Sequence, residues 1–350
     1  MKRVCYLGIY KPSAPRDKVY LEELKRRGVS FVECVSSAPG LKKYREIFSM
    51  ARRATRDADL VWVGYLSNFV VPVVYLATRK RIVYNALGSS YEAYILDRAV
   101  ASRYSPKAFF FWLADFLSFH LASAVLVESE SQKRYLARMF LVSPRKLHVV
   151  FTGADESIFY PDKDIKKRDE FTVAFRGMFI PATGVLVVLE AAKLLKDVPI
   201  RFWISGWGQL LGKVKDYIET NKLANVELNT VFLEPKELRE KLLSAHVILG
   251  QFSENSRLER TIQHKTTEAL ALGMPYITRG SESNRELLSD GVDCLFVQPA
   301  DAGDVVSKIN YLKNHADVRL ALSGGARKTY VSKLSPQILG DRIVKILDAF

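Results

Sequence analysis

The sequence predicts an α/β protein of two Rossmann-like domains whose parallel sheets face a central cleft. Three observations carry that expectation. Short apolar runs alternate with helical segments along nearly the whole chain, the pattern of strands buried on both faces. The 350 residues are long for one core and ample for two. Midway, Asp155 to Arg168 (DESIFYPDKDIKKR) is polar, charge-rich and proline-bearing, which reads as a linker. Domains over residues 1–160 and 161–334 follow, with an amphipathic helix by pattern over Ser335 to Phe350.

Taken in order, Lys2 to Ile9 reads as a first strand, too short for the apolar core of a signal peptide. Asp17 to Arg27 reads as a helix ended by Gly28, Val29 to Val35 as a strand, and Leu41 to Arg56 as a helix. Ala58 to Gly64 is a strand closing on glycine, Asn68 to Thr78 a helix started or kinked near Pro72, and Arg81 to Asn85 a strand. The apolar run Ala108 to Val127 approaches membrane-spanning length but holds Asp115 and His120 near its middle, where an acidic group in lipid is costly. A helix followed by the strand Ala124 to Glu128 fits it better, and Leu147 to Phe151 ends the first series.

Beyond the linker, strands are predicted at Phe171 to Phe175, Ile200 to Ser205, Asn225 to Leu228, His246 to Gly250, Tyr276 to Thr278 and Cys294 to Val297. Helices fall between them at Val185 to Leu195, Leu210 to Thr220, Pro235 to Ser244, Lys265 to Leu272 and Ala302 to Asn314. The stretch Arg260 to Leu288 gathers the strongest functional signals. It offers a helix beginning near Lys265 with Glu268 in its first turn, a Gly-Met-Pro stop, a short strand, and a second helix starting at Glu286. Helix starts expose unsatisfied N–H groups and a positive dipole end, so they seat anions such as a diphosphate.

With 48% hydrophobic and 26% charged residues the chain is globular and soluble in type. Cys5, Cys34 and Cys294 form no CxxC pair and no metal-ligand spacing, so a reducing cytoplasm is expected, with neither a disulfide framework nor a metal or other cofactor. Of the net charge of +14, the first 150 residues supply most, with 25 Lys and Arg against 12 Asp and Glu; the remainder holds 27 against 26. A basic first half points to an anionic partner, whether nucleic acid, an acidic membrane surface or a phosphorylated acceptor, or else to a solubility bias. Leu41 to Arg56 sharpens the choice: Leu41, Tyr44, Ile47, Phe48 and Ala51 share a stripe ringed by Lys42, Lys43, Arg45, Arg52, Arg53 and Arg56. Such a helix suits an anionic membrane surface or an ordinary sheet-covering place with a wet basic face.

The motifs come in a telling order. Val149 to Asp155 with Phe159-Tyr160-Pro161, Phe175 to Leu195 with Glu190-Ala191-Ala192, Ile204 to Gly208, Glu268 to Pro275, and Arg285 to Asp301 resemble successive motifs of the group 1 (family 4) retaining glycosyltransferases. The resemblance covers nearly all of the second half and is loose over the first 145 residues. It implies the GT-B fold, a nucleoside-diphosphate sugar as donor, Glu268 on the donor ribose, a role for Glu286 in the same site, and a last helix that crosses back onto the first domain. Gly177, Gly206 and Gly208 would let backbone N–H groups approach base or phosphate.

Two departures stand out. The cations expected after the first glycine and before the second are replaced by Met178 and Thr183, and eight positions before Glu268 the expected acid is Arg260, with Glu259 one step out of register. Lys265, Arg260 and Arg176 are the candidate replacements for the lost charge. Arg260, His264 and Lys265 are the candidate catalytic groups. On the acceptor side stand Arg16, reached through Gly8-Ile9-Tyr10-Lys11-Pro12 and read as a phosphate contact or a surface arginine, then Asn85, Ser90, Tyr91 and Asp97. The expected function is sugar transfer to a lipid-linked or membrane-proximal acceptor, by a cytoplasmic enzyme peripheral to the inner face of the membrane. The alternatives are an epimerase-type relative and a nucleotide-sugar binder that has lost catalysis. A nucleic-acid partner is not expected, for want of any such motif.

Overall fold

The computed structural model describes residues 2–9, 15–65 and 67–349. It divides into two compact units, the chain to Gly153 together with Ser335 onward, and Ala154–Leu334. The division thus falls a few residues before position 160, at the end of the last strand segment of the first unit.

The first unit carries β1 (Arg3–Gly8), α1 (Pro15–Arg26), β2 (Ser30–Val35), α2 (Lys42–Ala54), β3 (Leu60–Val63), α3 (Val70–Ala77), β4 (Arg81–Leu87), α4 (Pro106–Leu121), β5 (Ala124–Val127), α5 (Glu130–Met139) and β6 (Leu147–Val149). Its six strands are parallel in the order β2-β1-β3-β4-β5-β6. β3 and β5 are buried at every position, which is why they read as unbroken apolar runs and not as alternating ones. The long apolar run resolves into α4 and β5 as expected. No helix of the described residues is long and apolar enough to cross a membrane.

The second unit carries β7 (Phe171–Arg176), α6 (Val185–Leu194), β8 (Ile200–Ser205), α7 (Leu211–Thr220), β9 (Val226–Asn229), α8 (Pro235–Ser244), β10 (Val247–Leu249), α9 (His264–Leu272), β11 (Tyr276–Arg279), α10 (Glu282–Leu287), β12 (Leu295–Val297), α11 (Ala302–Asn314) and α12 (Ala316–Thr329). Its parallel order is β12-β11-β10-β7-β8-β9. The chain reverses direction across this sheet between β7 and β10. Such switch points leave a crevice beyond the strand ends, because the loops leaving the two strands diverge.

The last helix, α13 (Pro336–Asp348), belongs to the first unit and packs on α1. Leu339, Ile343 and Leu347 are buried there, and Arg27 reaches Asp341 at 2.5 Å and the Gln337 carbonyl at 2.9 Å. Gly340 permits the close approach, since a Cβ would stand 2.5 Å from the side chain of Glu23. Not predicted were α5, α12, the π-helical segments Tyr91–Asp97 and Tyr330–Leu334, and the short 3-10 turns Pro144–Lys146, Pro181–Thr183 and Ser256–Glu259.

Candidate active site

The second unit's site is built at the switch point. β7 delivers Arg176 and then Gly177, β10 delivers Gly250 just past its end, and α9 begins beside them. Lys265, in the first turn of α9, sends its Nζ to the Gly250 carbonyl at 3.1 Å and over the Phe175 ring at 3.9 Å. The side chain is buried, and loss of water, with the nearby Arg176 guanidinium, pulls its ammonium down to about 7 against the opposing pull of Glu268. Arg176 is ion-paired and hydrogen-bonded to Glu268. One anion and two cations therefore meet in a pocket where Glu268 is almost covered and Arg176 is one-third exposed, with side-chain exposures of 8% and 33%.

The glycines make room. A Cβ on Gly206 would lie 1.9 Å from the Gly177 carbonyl oxygen, so the ends of β7 and β8 can touch only through that glycine. Gly177 has φ +151°, and a side chain there would press on Lys265 at 3.2 Å. Behind it Phe179 donates its N–H to the Trp207 carbonyl at 2.7 Å, locking the Gly206-Trp207-Gly208 turn to the loop after β7. Trp207 and Phe232 remain half or more exposed, their rings 6.3 Å apart. Gln251, next to Gly250, is buried with its Nε2 unpartnered. Neither this aromatic pair nor Gln251 carried a signal in the sequence, because each depends on where β8, β9 and β10 end in space.

Arg176, Gly177, Gly206, Gly208, Lys265 and Glu268 are thus brought together. His264 is the first residue of α9, and Arg260 follows a 3-10 turn over Ser256–Glu259; both are half-buried on the approach to that helix. Two placements differ from expectation. The helix starts at His264, so Glu268 is in its second turn, one residue beyond the first, where the acid faces Arg176 and not the free amides. Glu286 does not start a helix: α10 begins at Glu282, and Glu286 lies in its last turn. The N-terminal charge of α10 is supplied by Glu282 instead.

The displaced acid Glu259 also has a local explanation. It pairs with Arg279 and accepts the N–H of Glu282 at 2.9 Å, so it binds β11 to the start of α10. Thr183 is buried and donates its hydroxyl to the Ile180 carbonyl at 2.9 Å, while Met178 stands half-exposed beside Gly177. Among the described residues no group of three or more His, Cys, Asp and Glu is gathered as for a metal ion.

In the first unit the strands carry a buried polar network. Asp17, in the first turn of α1, accepts from Tyr6 Oη at 2.9 Å, Asn85 Nδ2 at 2.7 Å, Trp62 Nε1 at 3.2 Å and the Tyr65 N–H at 2.8 Å. Its burial raises the carboxyl above the usual carboxylate range. Arg16 is fully buried, donating to Asn85 Oδ1 at 2.7 Å, Thr152 Oγ1 at 2.6 Å and the Val150 carbonyl at 2.9 Å. The expected phosphate contact by Arg16 is therefore corrected, and with it the acceptor contact of Asn85: both side chains are spent on this network. Tyr10, Lys11 and Pro12 lie outside the described residues.

Ser90 and Tyr91 flank a second buried carboxylate, Asp115. Ser90 precedes and Tyr91 opens the π-helical segment that ends at the buried Asp97. Asp115 accepts from Ser89 Oγ at 2.6 Å, Asn68 Nδ2 at 3.0 Å and the Tyr91 N–H at 2.8 Å. Burial still wins and pushes its carboxyl up to about 6. Leu87, at the bulged end of β4 just before this turn, has φ +61°, a strained value for a branched side chain.

Comparison with known proteins adds to this geometry. Residues 170–338 match the profile of the family described as Glycosyl transferases group 1. An uncharacterized glycosyltransferase of Methanocaldococcus jannaschii is 25% identical over 189 residues, 53% of this chain and 49% of that protein. The MMP alpha-(1->4)-mannosyltransferase of Mycolicibacterium hassiacum is 24% identical over 214 residues, 60% of this chain and 50% of its own. The matched part of the chain spans about half the length of these curated relatives. Among solved structures, HepE of Anabaena in complex with UDP and glucose superimposes with a TM-score of 0.77 at 12% identity, covering 100% of both chains. Sucrose-phosphate synthase of Thermosynechococcus elongatus gives a TM-score of 0.81 at 14% identity, covering 100% of this chain and 99% of that one. At such identities the likeness is one of fold. By these matches residues 170–338 resemble the group 1 glycosyl transferases, and the chain has the GT-B fold.

Proposed function

We propose that this protein is a retaining glycosyltransferase of family 4 that moves a hexosyl residue from a nucleoside-diphosphate sugar to a lipid-linked or membrane-proximal acceptor. The observation that supports this best is the meeting of Arg176, Lys265 and Glu268 beside the start of α9, at the switch point of the second sheet. Breaking the bond from the anomeric carbon to the donor's phosphate oxygen leaves an oxocarbenium-like sugar and a diphosphate. Cations already held in place act on the departing charge without reorganising, which is where such sites gain most. Lys265 and Arg176 supply those cations in place of the side chains absent at Met178 and Thr183. The first amides of α9 add the dipole end, since the preceding Gln263 provides no side-chain cap. Glu268, released in part from Arg176, takes the ribose hydroxyls. The UDP and glucose of the Anabaena structure and the mannosyl transfer of the M. hassiacum relative favour a hexosyl donor.

A second reading, a nucleotide-sugar binder without turnover, is favoured by the neutral Met178 and Thr183. A thermal-shift screen over nucleoside diphosphates and their sugars tests both, because a ligand that binds only the folded state raises the melting temperature. A rise with one nucleotide series, followed by sugar transfer to a membrane lipid extract, is the expected outcome. Binding without transfer selects the second reading, and no response to any nucleotide overturns both.

A further inference from the structure

Helices α2, α3 and α4 lie side by side on the first unit, α2 against α3 and α3 against α4. The stacked rings of Phe69 and Phe110, 5.3 Å apart, tie the start of α3 to α4. α2 buries Ile47 and Ala51 toward the sheet, yet the remainder of its apolar stripe does not go inside. Tyr44 and Phe48 of α2 and Val73 and Leu76 of α3 line an open groove of about 360 Å³, with Arg45 on its rim. Leu76 is 78% exposed, Leu41 80% and Phe109 61%. Large side chains left in water on adjoining helices of one face call for a partner.

The charge around the groove says which. Between residues 41 and 81 there are nine Lys and Arg against three Asp and Glu. On α2 the one acid, Glu46, is engaged by the Ser36 hydroxyl at 2.6 Å. The hydroxyls of Thr55 and Thr78, 3.0 Å apart, join the ends of α2 and α3, so Arg56, Arg79 and Lys80 cluster at one end of the groove. Arg52 holds its guanidinium over the Phe48 ring, 5.9 Å from the centroid, so a cation stands directly beside one of the apolar groups that line the groove.

From this juxtaposition we infer that the α2–α3 groove is a membrane-docking surface, in which Leu76, Phe48 and Tyr44 enter the acyl region of a bilayer while the surrounding arginines and lysines bind anionic phospholipid headgroups. A nucleic acid would satisfy the basic rim but leave Leu41 and Leu76 in water. A second copy of the chain would bring two basic rims together. An anionic bilayer satisfies both features at once. The inference deepens the membrane-proximal reading proposed above and rests on it for its biological sense, though not for its physics.

Sedimentation of the full chain with vesicles of mixed phosphatidylglycerol and phosphatidylcholine tests it. Wild type is expected to bind these vesicles and not phosphatidylcholine alone. Leu76→Glu, at a position too exposed to disturb folding, is expected to weaken binding by about tenfold or more, the worth of one buried leucine. Leu76→Trp is expected to retain binding and to show a blue-shifted fluorescence on the vesicles. Reversal of Arg52, Arg53 and Arg56 is expected to abolish the preference for anionic lipid. Unchanged binding by Leu76→Glu would overturn the inserted groove, and so would binding that depends on charge alone. A loss of self-association, in place of vesicle binding, would assign the face to a second copy and overturn it as well. Nucleotide-sugar binding measured in parallel keeps the two proposals apart, because its residues all lie in the other unit: a wild-type chain that binds nucleotide but no anionic vesicle sinks the surface alone, and one that binds vesicles but no nucleotide sinks the donor site alone.

Discussion

Lys265 shows how much a single residue can hold. Its ammonium lies among Gly250, Phe175 and Arg176 and has been drawn down to about 7, so near neutral pH it is poised between charged and neutral forms. A diphosphate arriving beside it would favour the charged form, so binding takes up a proton wherever the free lysine is neutral. Donor affinity is therefore expected to fall as pH rises through about 7, by as much as tenfold per unit, and Lys265→Ala to flatten that slope. The same substitution should weaken nucleoside-diphosphate binding by about 10- to 100-fold, the loss of one charge-assisted hydrogen bond, with the thermal unfolding curve retained; calorimetry at two pH values reads both. Asp115 is shifted the other way, upward, by the same loss of water. Folded, its carboxyl holds its proton up to about 6 against an ordinary 3.8, so its contribution to stability is greatest in acid and is lost as pH rises through that window, up to about 3 kcal/mol in total. Urea unfolding of Asp115→Asn beside wild type across that range should show the variant free of this dependence. Neither lysine nor aspartate could be weighted this way from sequence, where Lys265 was legible as a helix-start cation but its burial was not. Arg16 went further astray: as a basic residue after the first strand it read as a surface or phosphate-binding group, and its acceptors at Asn85, Val150 and Thr152 come from strands far along the chain.

At the scale of elements, strands were the legible part. The inner strands are buried on both faces, so β3 and β5 announce themselves as apolar runs without alternation, and the pitch between strands fixes the helices. What escaped were helices with little apolar signature. α5 has Leu136 as its one buried aliphatic residue, and α12 carries Gly324-Gly325, a pair that lowers helix propensity; a Cβ at Gly325 would meet the Val292 carbonyl at 1.9 Å. The π-helical segments have no sequence pattern of their own, since their widened turns answer to tertiary contacts. The last helix offers a sharper test of element against unit. α13 closes the first unit with Leu339, Ile343 and Leu347, three aliphatic side chains each worth about 1.5–3 kcal/mol, which together approach the whole stability of a domain. A chain ending at Leu334 is therefore expected to lose cooperative unfolding of the first unit while the second keeps its own, and hydrogen exchange resolved by segment should show protection surviving in β7 to β12 alone.

For the whole molecule, the two units differ in charge and in continuity. Basic residues concentrate in the first, where Asp17 and Arg16 are tied into a buried polar network and the outer helices leave apolar groups in water. The second, near neutral, gathers Arg176, Lys265 and Glu268 at its switch point. It is also one unbroken stretch, Ala154–Leu334, with a hydrophobic core drawn from its own strands and helices, and the family match covers nearly all of it. A contiguous unit of this size with its own core is able to fold alone. The fragment 154–334 is therefore expected to unfold in a single transition and, because every proposed donor contact lies within it, to bind the preferred nucleoside diphosphate within about threefold of the full chain. The first unit makes the contrast, for residues 2–153 lack α13 and should stay partly unfolded unless that helix is supplied as a peptide or joined by permutation. If the folded 154–334 fragment binds nucleotide more than about 100-fold more weakly than the whole chain, the diphosphate depends on groups from the first unit, and the assignment of its charge to Lys265 and Arg176 is wrong.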